Sequence, residues 1–119
     1  CLGHHCFNVV TAPREVGEAV LIRALEPVDG IELMKKRRGE HYGLHELCNG
    51  PGKLTIAMGV EGKMNGMSLM KGPLQILASR KNDFQKIQNT TTTTRIGIRE
   101  GASLPYRFYI KGSPFISRK

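Results

Sequence analysis

The sequence predicts an α+β fold: a single mixed domain that is mostly antiparallel sheet, with two or three helices. Two observations support this prediction. Short runs rich in valine, isoleucine and leucine are separated by turn residues, a pattern typical of strands joined by tight connections. Two other stretches place apolar residues at helical spacing between residues that start or end helices. A chain of 119 residues is the size of one domain or a part of one.

The first two strands are predicted at residues 5–11 and 18–25, both rich in branched apolar residues. Residues 12–17 have the composition of a turn, so we expect the two strands to pair as an antiparallel hairpin. Pro27 ends the second strand, because proline has no N–H to donate to a neighbouring strand.

A first helix is predicted to follow, with Asp29 as its N-cap and with Ile31 and Met34 on one face. It should end in four consecutive cations, residues 35–38, because positive charge suits a helix C-terminus. Gly39 is a plausible stop.

A second helical stretch is predicted over residues 44–58, interrupted at 49–51, with Pro51 in the first turn of the resumed helix. Residues 59–72 are predicted as loop. The five consecutive threonines at 90–94 predict a strand, because threonine is β-branched. Further short strands are predicted at residues 73–78, 95–99 and 106–110.

The chain carries a formal net charge of +8 and has a pI near 9.8. A strongly basic domain indicates a polyanionic partner such as nucleic acid, although ribosomal and membrane-surface proteins can share this composition. No apolar run is long enough to cross a membrane, so no membrane partner is predicted. The three cysteines, Cys1, Cys6 and Cys48, form no CxxC pair and predict no disulfide framework, which favours an intracellular location.

Neither a metal nor an organic cofactor is predicted. His4, His5 and Cys6 are adjacent in a predicted strand, where successive side chains point to opposite faces, and no second cluster has ligand spacing. His45 and Cys48 are the only other pair at helical spacing, and Cys48 is expected to be a core residue.

Two positions have a structural and a functional interpretation. Arg23 is the only charged residue in the apolar run 19–25, so it must have a partner: an ion pair with Glu26 or Glu46, or a ligand. The Gly50-Pro51-Gly52-Lys53 run at a helix start suits a phosphate, because first-turn N–H groups and the helix dipole both favour an anion. A plain turn followed by a solvated lysine is the alternative there.

Three runs in a fixed order resemble the alkyladenine (3-methyladenine) DNA glycosylase family. They are residues 20–27 (VLIRALEP), 46–54 (ELCNGPGKL) and 107–115 (RFYIKGSPF), supported by 6–10 (CFNVV) and 94–98 (TRIGI). The resemblance implies a monofunctional glycosylase of base excision repair, which hydrolyses the N-glycosidic bond of an alkylated purine flipped out of duplex DNA. The implied partner is double-stranded DNA containing alkylated or deaminated purines, and the intact enzyme is expected to be a monomer.

The resemblance also assigns roles to residues of this chain. Arg23 would lie beside the abasic-site phosphate and the attacking water, and the Ile96 carbonyl would help to hold that water. Asn8 would lie in the base pocket and reject normal purines by a clash with the guanine amino group. The residues expected to contact DNA on one concave face are Gly50, Lys53, Arg95 and Gly97.

The chain also departs from the family pattern. The family's catalytic glutamate lies in a Glu-x-Glu-Ala-Tyr-type run, which the resemblance places upstream of Cys1. Residues 1–3 stand where the family has Tyr-Gly-Met, so the tyrosine wedge that replaces the flipped nucleotide is absent. We therefore expect residues 1–119 to be the C-terminal part of a single glycosylase domain, truncated at the N-terminus, inactive alone and prone to association through the strand that contains Phe7 and Val9. The alternatives are a catalytically inactive nucleic-acid-binding remnant of the fold and an unrelated basic structural or ribosome-associated protein.

Overall fold

The computed structural model describes residues 5–13, 15–77, 90–93 and 105–116. The chain divides into two compact units. The first comprises Cys1–Met67 with Pro114–Lys119, and the second comprises Ser68–Ser113.

The first unit begins with an antiparallel hairpin, as the sequence predicts. Strand β1 (Asn8–Val10) pairs with strand β2 (Ala19–Leu21), and Val9 lies opposite Val20. The regular strands are shorter than predicted, although a backbone bond from Ile22 N–H to Phe7 O (2.9 Å) extends the pairing by one step. Beyond this point the chain leaves its partner strand, because Leu25 N–H bonds to Cys48 O (3.0 Å) instead.

Helix α1 (Ile31–Arg38) has the predicted extent, but the prediction of Asp29 as its N-cap is wrong. The N-cap is Gly30, which has a left-handed backbone with φ of 73°. Asp29 is therefore one residue too early for its carboxylate to accept from the N–H groups that a cap satisfies. Gly39 ends the helix as predicted, with φ of 136° and a bond of 2.7 Å from its N–H to Lys35 O.

A short 3₁₀ helix (Leu44–Glu46) precedes helix α2 (Pro51–Met58). The helical stretch is interrupted as predicted, but over residues 47–50 and not 49–51, because Pro51 already occupies the predicted first turn of α2. Gly59 ends α2 in the left-handed region, with φ of 71°. Gly59 N–H bonds to Ile56 O and Val60 N–H bonds to Thr55 O, which is the bond pair of a Schellman motif.

The core of the first unit lies where α2 and the turn before it meet α1 and the hairpin. Four apolar residues are buried there: Leu47, Cys48, Leu54 and Ala57. Six partly buried side chains pack around them: Phe7, Ile22, Leu25, Ile31, Met34 and Tyr42. Phe7 packs against the core and is half-buried, as is Val9, while Val10 and Val20 are exposed.

The second unit contains strands β3 (Thr90–Thr93) and β4 (Arg107–Ile110), which pair antiparallel with Thr91 opposite Tyr109. The strand predictions for the threonine run and for residues 106–110 are therefore confirmed. Arg107 is buried and its guanidinium lies 4.9 Å from the centre of the Tyr109 ring. The predicted strand 95–99 lies outside the described residues.

The predicted strand at residues 73–78 is wrong for its described part, 73–77, which has no strand conformation. Leu77 is 79% exposed, and the Ile76 N–H bonds locally to Leu69 O (3.0 Å). An apolar run becomes a strand only where a partner strand accepts its backbone bonds, and this run is irregular chain with a bend at residues 73 and 74. The α+β class, with two helices and antiparallel sheets, is nevertheless confirmed. Within the described part of the chain, no helix is long and apolar enough to cross a membrane.

Candidate nucleic-acid interface

Three of the motifs singled out in the sequence adjoin one another in the first unit. The bond from Ile22 to Phe7 joins residues 20–27 to residues 6–10, and the bond from Leu25 to Cys48 joins residues 20–27 to residues 46–54. The buried Thr55 hydroxyl lies 2.9 Å from His5 O and 2.9 Å from Gly52 O. Because that hydroxyl has a single proton, it donates to one of the two carbonyls at a time. These contacts fix the start of α2 against the hairpin.

The start of α2 has the geometry predicted for an anion site. Gly50 is the buried N-cap, and Leu54 N–H bonds to Gly50 O (2.9 Å) as the first bond of the helix. The N–H groups of Gly52 and Lys53 precede that bond and have no acceptor within the helix. An added Cβ at Gly50 would lie 3.3 Å from Lys53 Cδ, so the glycine lets the lysine side chain fold back over the N-cap.

A depression of about 310 Å³ lies beside this helix start. Its lining residues are Arg38, Gly50, Pro51, Gly52, Lys53 and Ile56. Lys53 is exposed, whereas Arg38 is half-buried. Two cations and the positive end of a helix dipole therefore border one small volume, an arrangement that attracts an anion such as a phosphate.

For Arg38 the sequence predicts only a favourable charge at the end of α1, and its position beside the start of α2 is not predicted. Arg38 Nε donates to Leu47 O (3.1 Å), and Nη2 donates to Glu46 O (3.0 Å). Its guanidinium also lies 4.1 Å from the centre of the Tyr42 ring. The spacing could have revealed this role, because Arg38 lies seven residues beyond Ile31 and four beyond Met34 and so continues the apolar, core-facing stripe of α1.

Cys48 is a free thiol in the core beneath this site. Burial raises the pKa of the Cys48 thiol, and the neighbouring Arg38 charge opposes that shift. The neutral thiol is therefore favoured, in agreement with the expectation that Cys48 is a core residue and not a nucleophile. Cys6 is disulfide-bonded, although the sequence predicts no disulfide framework.

The other predicted site residues are only partly covered by the described residues. Asn8 is exposed in β1, opposite Leu21. Arg23 is half-buried, and neither Arg23 nor Glu26 is without a partner. Arg95, Ile96 and Gly97 lie outside the described residues, so their grouping with Arg23 and Lys53 stays a prediction. Within the described ranges, no three histidine, cysteine or carboxylate side chains lie close enough together to hold a metal ion.

Comparison with known proteins identifies relatives along almost the whole chain. A protein from Methanoculleus marisnigri is 50% identical over 116 residues, and one from Francisella tularensis is 47% identical over the same length. A Bacillus cereus protein is 42% identical over 125 residues. Each carries the provisional name 3-methyladenine DNA glycosylase, and each alignment covers 98% of this chain.

The chain spans about 60% of the length of these relatives. Residues 1–114 match the model of the methylpurine-DNA glycosylase family, a range that includes the hairpin, both helices and strand β4. The match extends over far more than the three short motifs. The chain therefore belongs to the methylpurine-DNA glycosylase family.

Proposed function

We propose that this chain is part of a monofunctional DNA-3-methyladenine glycosylase that acts in base excision repair inside the cell. Its substrate is double-stranded DNA in which an alkylated or deaminated purine is flipped out of the helix, and its reaction is hydrolysis of the N-glycosidic bond. The observation that carries this proposal is the family match over residues 1–114. The names of relatives from three organisms support the same substrate class.

The catalytic part of the proposal concerns Arg23, Asn8 and Ile96. Arg23 would place its positive charge beside the phosphate of the reacting nucleotide and orient the attacking water. The Ile96 carbonyl would accept a hydrogen bond from that water. Asn8 would project into the base pocket and discriminate against guanine by its bulk. The exposure of Asn8 and the junction of its strand with residues 20–27 are consistent with these roles.

The DNA-binding part of the proposal rests on the start of α2. Gly50 and Lys53 border a depression that also carries the Arg38 charge, and a DNA phosphate suits that volume chemically. Arg95 and Gly97 would contact the backbone on the same side. A net charge of +8 supports association with DNA, because each neutralised phosphate releases counterions.

We further propose that the general base comes from outside these 119 residues. None of the ten acidic residues occupies the position of the family's catalytic glutamate. General base catalysis contributes typically ~100- to 10,000-fold to such reactions. The isolated chain is therefore expected to bind DNA without excising bases.

The test is to incubate the chain with duplexes that contain hypoxanthine or ethenoadenine, and then to cleave abasic sites with alkali. The expected result is a salt-dependent shift of the duplex on a native gel, with no strand breaks above background. Strand breaks that disappear in Glu26→Gln would show that the general base lies within this chain and that the active site is misplaced. No shift at low salt would refute the proposed DNA contact.

A further inference from the structure

Arg38 lies in the last turn of α1, where the helix dipole favours a cation, but it has no carboxylate partner among the described residues. It is half-buried. Its bonds go to two main-chain carbonyls and its plane lies against Tyr42. A guanidinium removed from water without an anionic partner carries a desolvation cost that carbonyl bonds only partly offset.

The carbonyls that Arg38 holds belong to the turn that leads into α2. Glu46 and Leu47 are followed by Cys48 and Asn49, and then by Gly50, the N-cap. Two hydrogen bonds from one planar guanidinium fix the orientation of this turn, and hence the direction in which the first N–H groups of α2 point. Lysine, with a flexible stem and one ammonium, cannot make this paired contact with the same geometry.

Arg38 also borders a volume in which positive charge is concentrated and which an anion would suit. Along with Lys53 it lines the depression at the positive end of the α2 dipole, so three positive features lie together. Of the guanidinium's N–H donors, one on Nε and one on Nη2 are used by the main chain, which leaves donors on Nη1 for a ligand.

We propose that Arg38 is a positioning residue for a DNA phosphate: it clamps the turn of residues 46–50 and adds its own charge to the phosphate contact of Lys53. This inference rests on the DNA contact proposed above. Arg38 lies on a different helix from the Gly50 motif, so this function cannot be predicted from that motif alone.

The chain offers a matched control in the neighbouring residue. Arg37 also donates to a main-chain carbonyl, Ala57 O at 3.0 Å, but at the opposite, C-terminal end of α2. Arg37→Met and Arg38→Met each remove one positive charge; the first breaks one bond to the main chain and the second breaks two. A difference in DNA affinity between the two variants therefore reflects the position of the arginine at the start of α2, and not the loss of net charge or of stability.

The experiment measures the Kd of the chain for a fluorescent duplex with a tetrahydrofuran abasic-site analogue, between ~50 and ~200 mM salt, the range over which phosphate contacts dominate. Arg38→Met should raise Kd by about tenfold, equivalent to ~1.4 kcal/mol, and lower the salt slope by about 0.9. Arg38→Lys should keep the salt slope and still raise Kd by roughly threefold or more, because the charge remains and the clamp is lost. Arg37→Met should leave Kd within about twofold.

Circular dichroism identifies any variant that does not fold, and Arg38→Lys serves if Arg38→Met does not. Equal weakening by Arg37→Met and Arg38→Met would overturn the inference, as would a Kd for Arg38→Lys equal to that of the unmodified chain. If Lys53→Met weakens binding and the Arg38 variants do not, the proposed function stands and the inference fails. If the unmodified chain does not bind the duplex at all, the proposed DNA contact fails and the inference with it.

Discussion

The packing of α1 on α2 can be tested at Gly59, where any added side chain would cause both backbone strain and a steric clash with Arg37. Gly59 has φ of 71°, so a residue with a Cβ is strained there by ~1–2 kcal/mol. A Cβ would also lie 2.8 Å from Arg37 Cζ and 3.0 Å from both terminal nitrogens. Because real Cβ atoms do not approach so closely, the guanidinium has to move.

Moving the guanidinium breaks the 3.0 Å bond from Arg37 Nη1 to Ala57 O. That bond contributes ~1 kcal/mol, a value near the lower end for charged donors because Arg37 is exposed. Gly59→Ala should therefore lower the free energy of unfolding by ~2–3 kcal/mol in total.

A double-mutant cycle with Arg37→Ala separates the two costs. In the Arg37→Ala background the guanidinium is already absent, so Gly59→Ala should cost only the backbone strain of ~1–2 kcal/mol. The assay is urea unfolding followed by circular dichroism, with each of the four proteins measured in parallel. An identical cost of Gly59→Ala in both backgrounds would refute the predicted contact between α1 and the end of α2, and a cost near zero would refute the left-handed backbone at Gly59.

Three further predictions concern the core and the site. Leu54→Ala should lower the free energy of unfolding by ~2–5 kcal/mol, because the side chain is fully buried; thermal unfolding tests this, and a loss below ~1 kcal/mol would contradict it. The raised pKa of the Cys48 thiol should add to the free energy of unfolding at pH values below the ordinary thiol pKa of 9.0, and this contribution should be lost as the pH rises through the folded-state pKa. Cys48→Ala should therefore show a smaller loss of stability at alkaline pH, measured by urea unfolding. Lys53→Met should reduce the salt slope of DNA binding by about 0.9, measured by fluorescence anisotropy, and an unchanged slope would show that Lys53 contacts no phosphate.

The elements that the sequence predicted well have strong local causes. Helix α1 ends at Gly39 because glycine, without a Cβ, can adopt the positive φ found there. Helix α2 begins at Pro51 because the proline ring fixes φ near its helical value and the missing N–H has no helical partner in the first turn. The threonine strand follows from β-branched side chains. Local chemistry alone was enough to predict these boundaries.

The errors have a different origin, since each depends on a partner distant in the chain or on backbone conformation. Residues 73–77 are apolar, but they bond locally and are not paired in a sheet. Gly30 displaced Asp29 as the N-cap because it adopts a left-handed conformation that composition does not reveal. The spacing of Arg38 indicates only that it faces the core. Its partners, the main-chain carbonyls of Glu46 and Leu47, could not be predicted, because a main-chain acceptor does not depend on the residue type.

The candidate site was predicted in the same uneven way. Gly50 and Lys53 were found because a glycine, a proline and a lysine at a helix start have a recognisable pattern. The roles of Asn8, Arg23 and Ile96 came from the family resemblance and not from physical patterns. These roles depend on the distances between the three residues and a bound nucleotide, and a sequence pattern alone does not give such distances.

The measurement that tests the central claim most directly is base excision by the full-length product of the gene that encodes this chain. It would be assayed on a duplex that contains hypoxanthine, under single-turnover conditions, with the Arg23→Gln variant beside it. We predict excision by the full-length protein. The rate should be at least ~100-fold lower in Arg23→Gln, because loss of one electrostatic contact that stabilises the transition state typically has an effect of that size. No excision by the full-length protein would favour an inactive DNA-binding remnant, and an unchanged rate in Arg23→Gln would contradict the proposed role of Arg23.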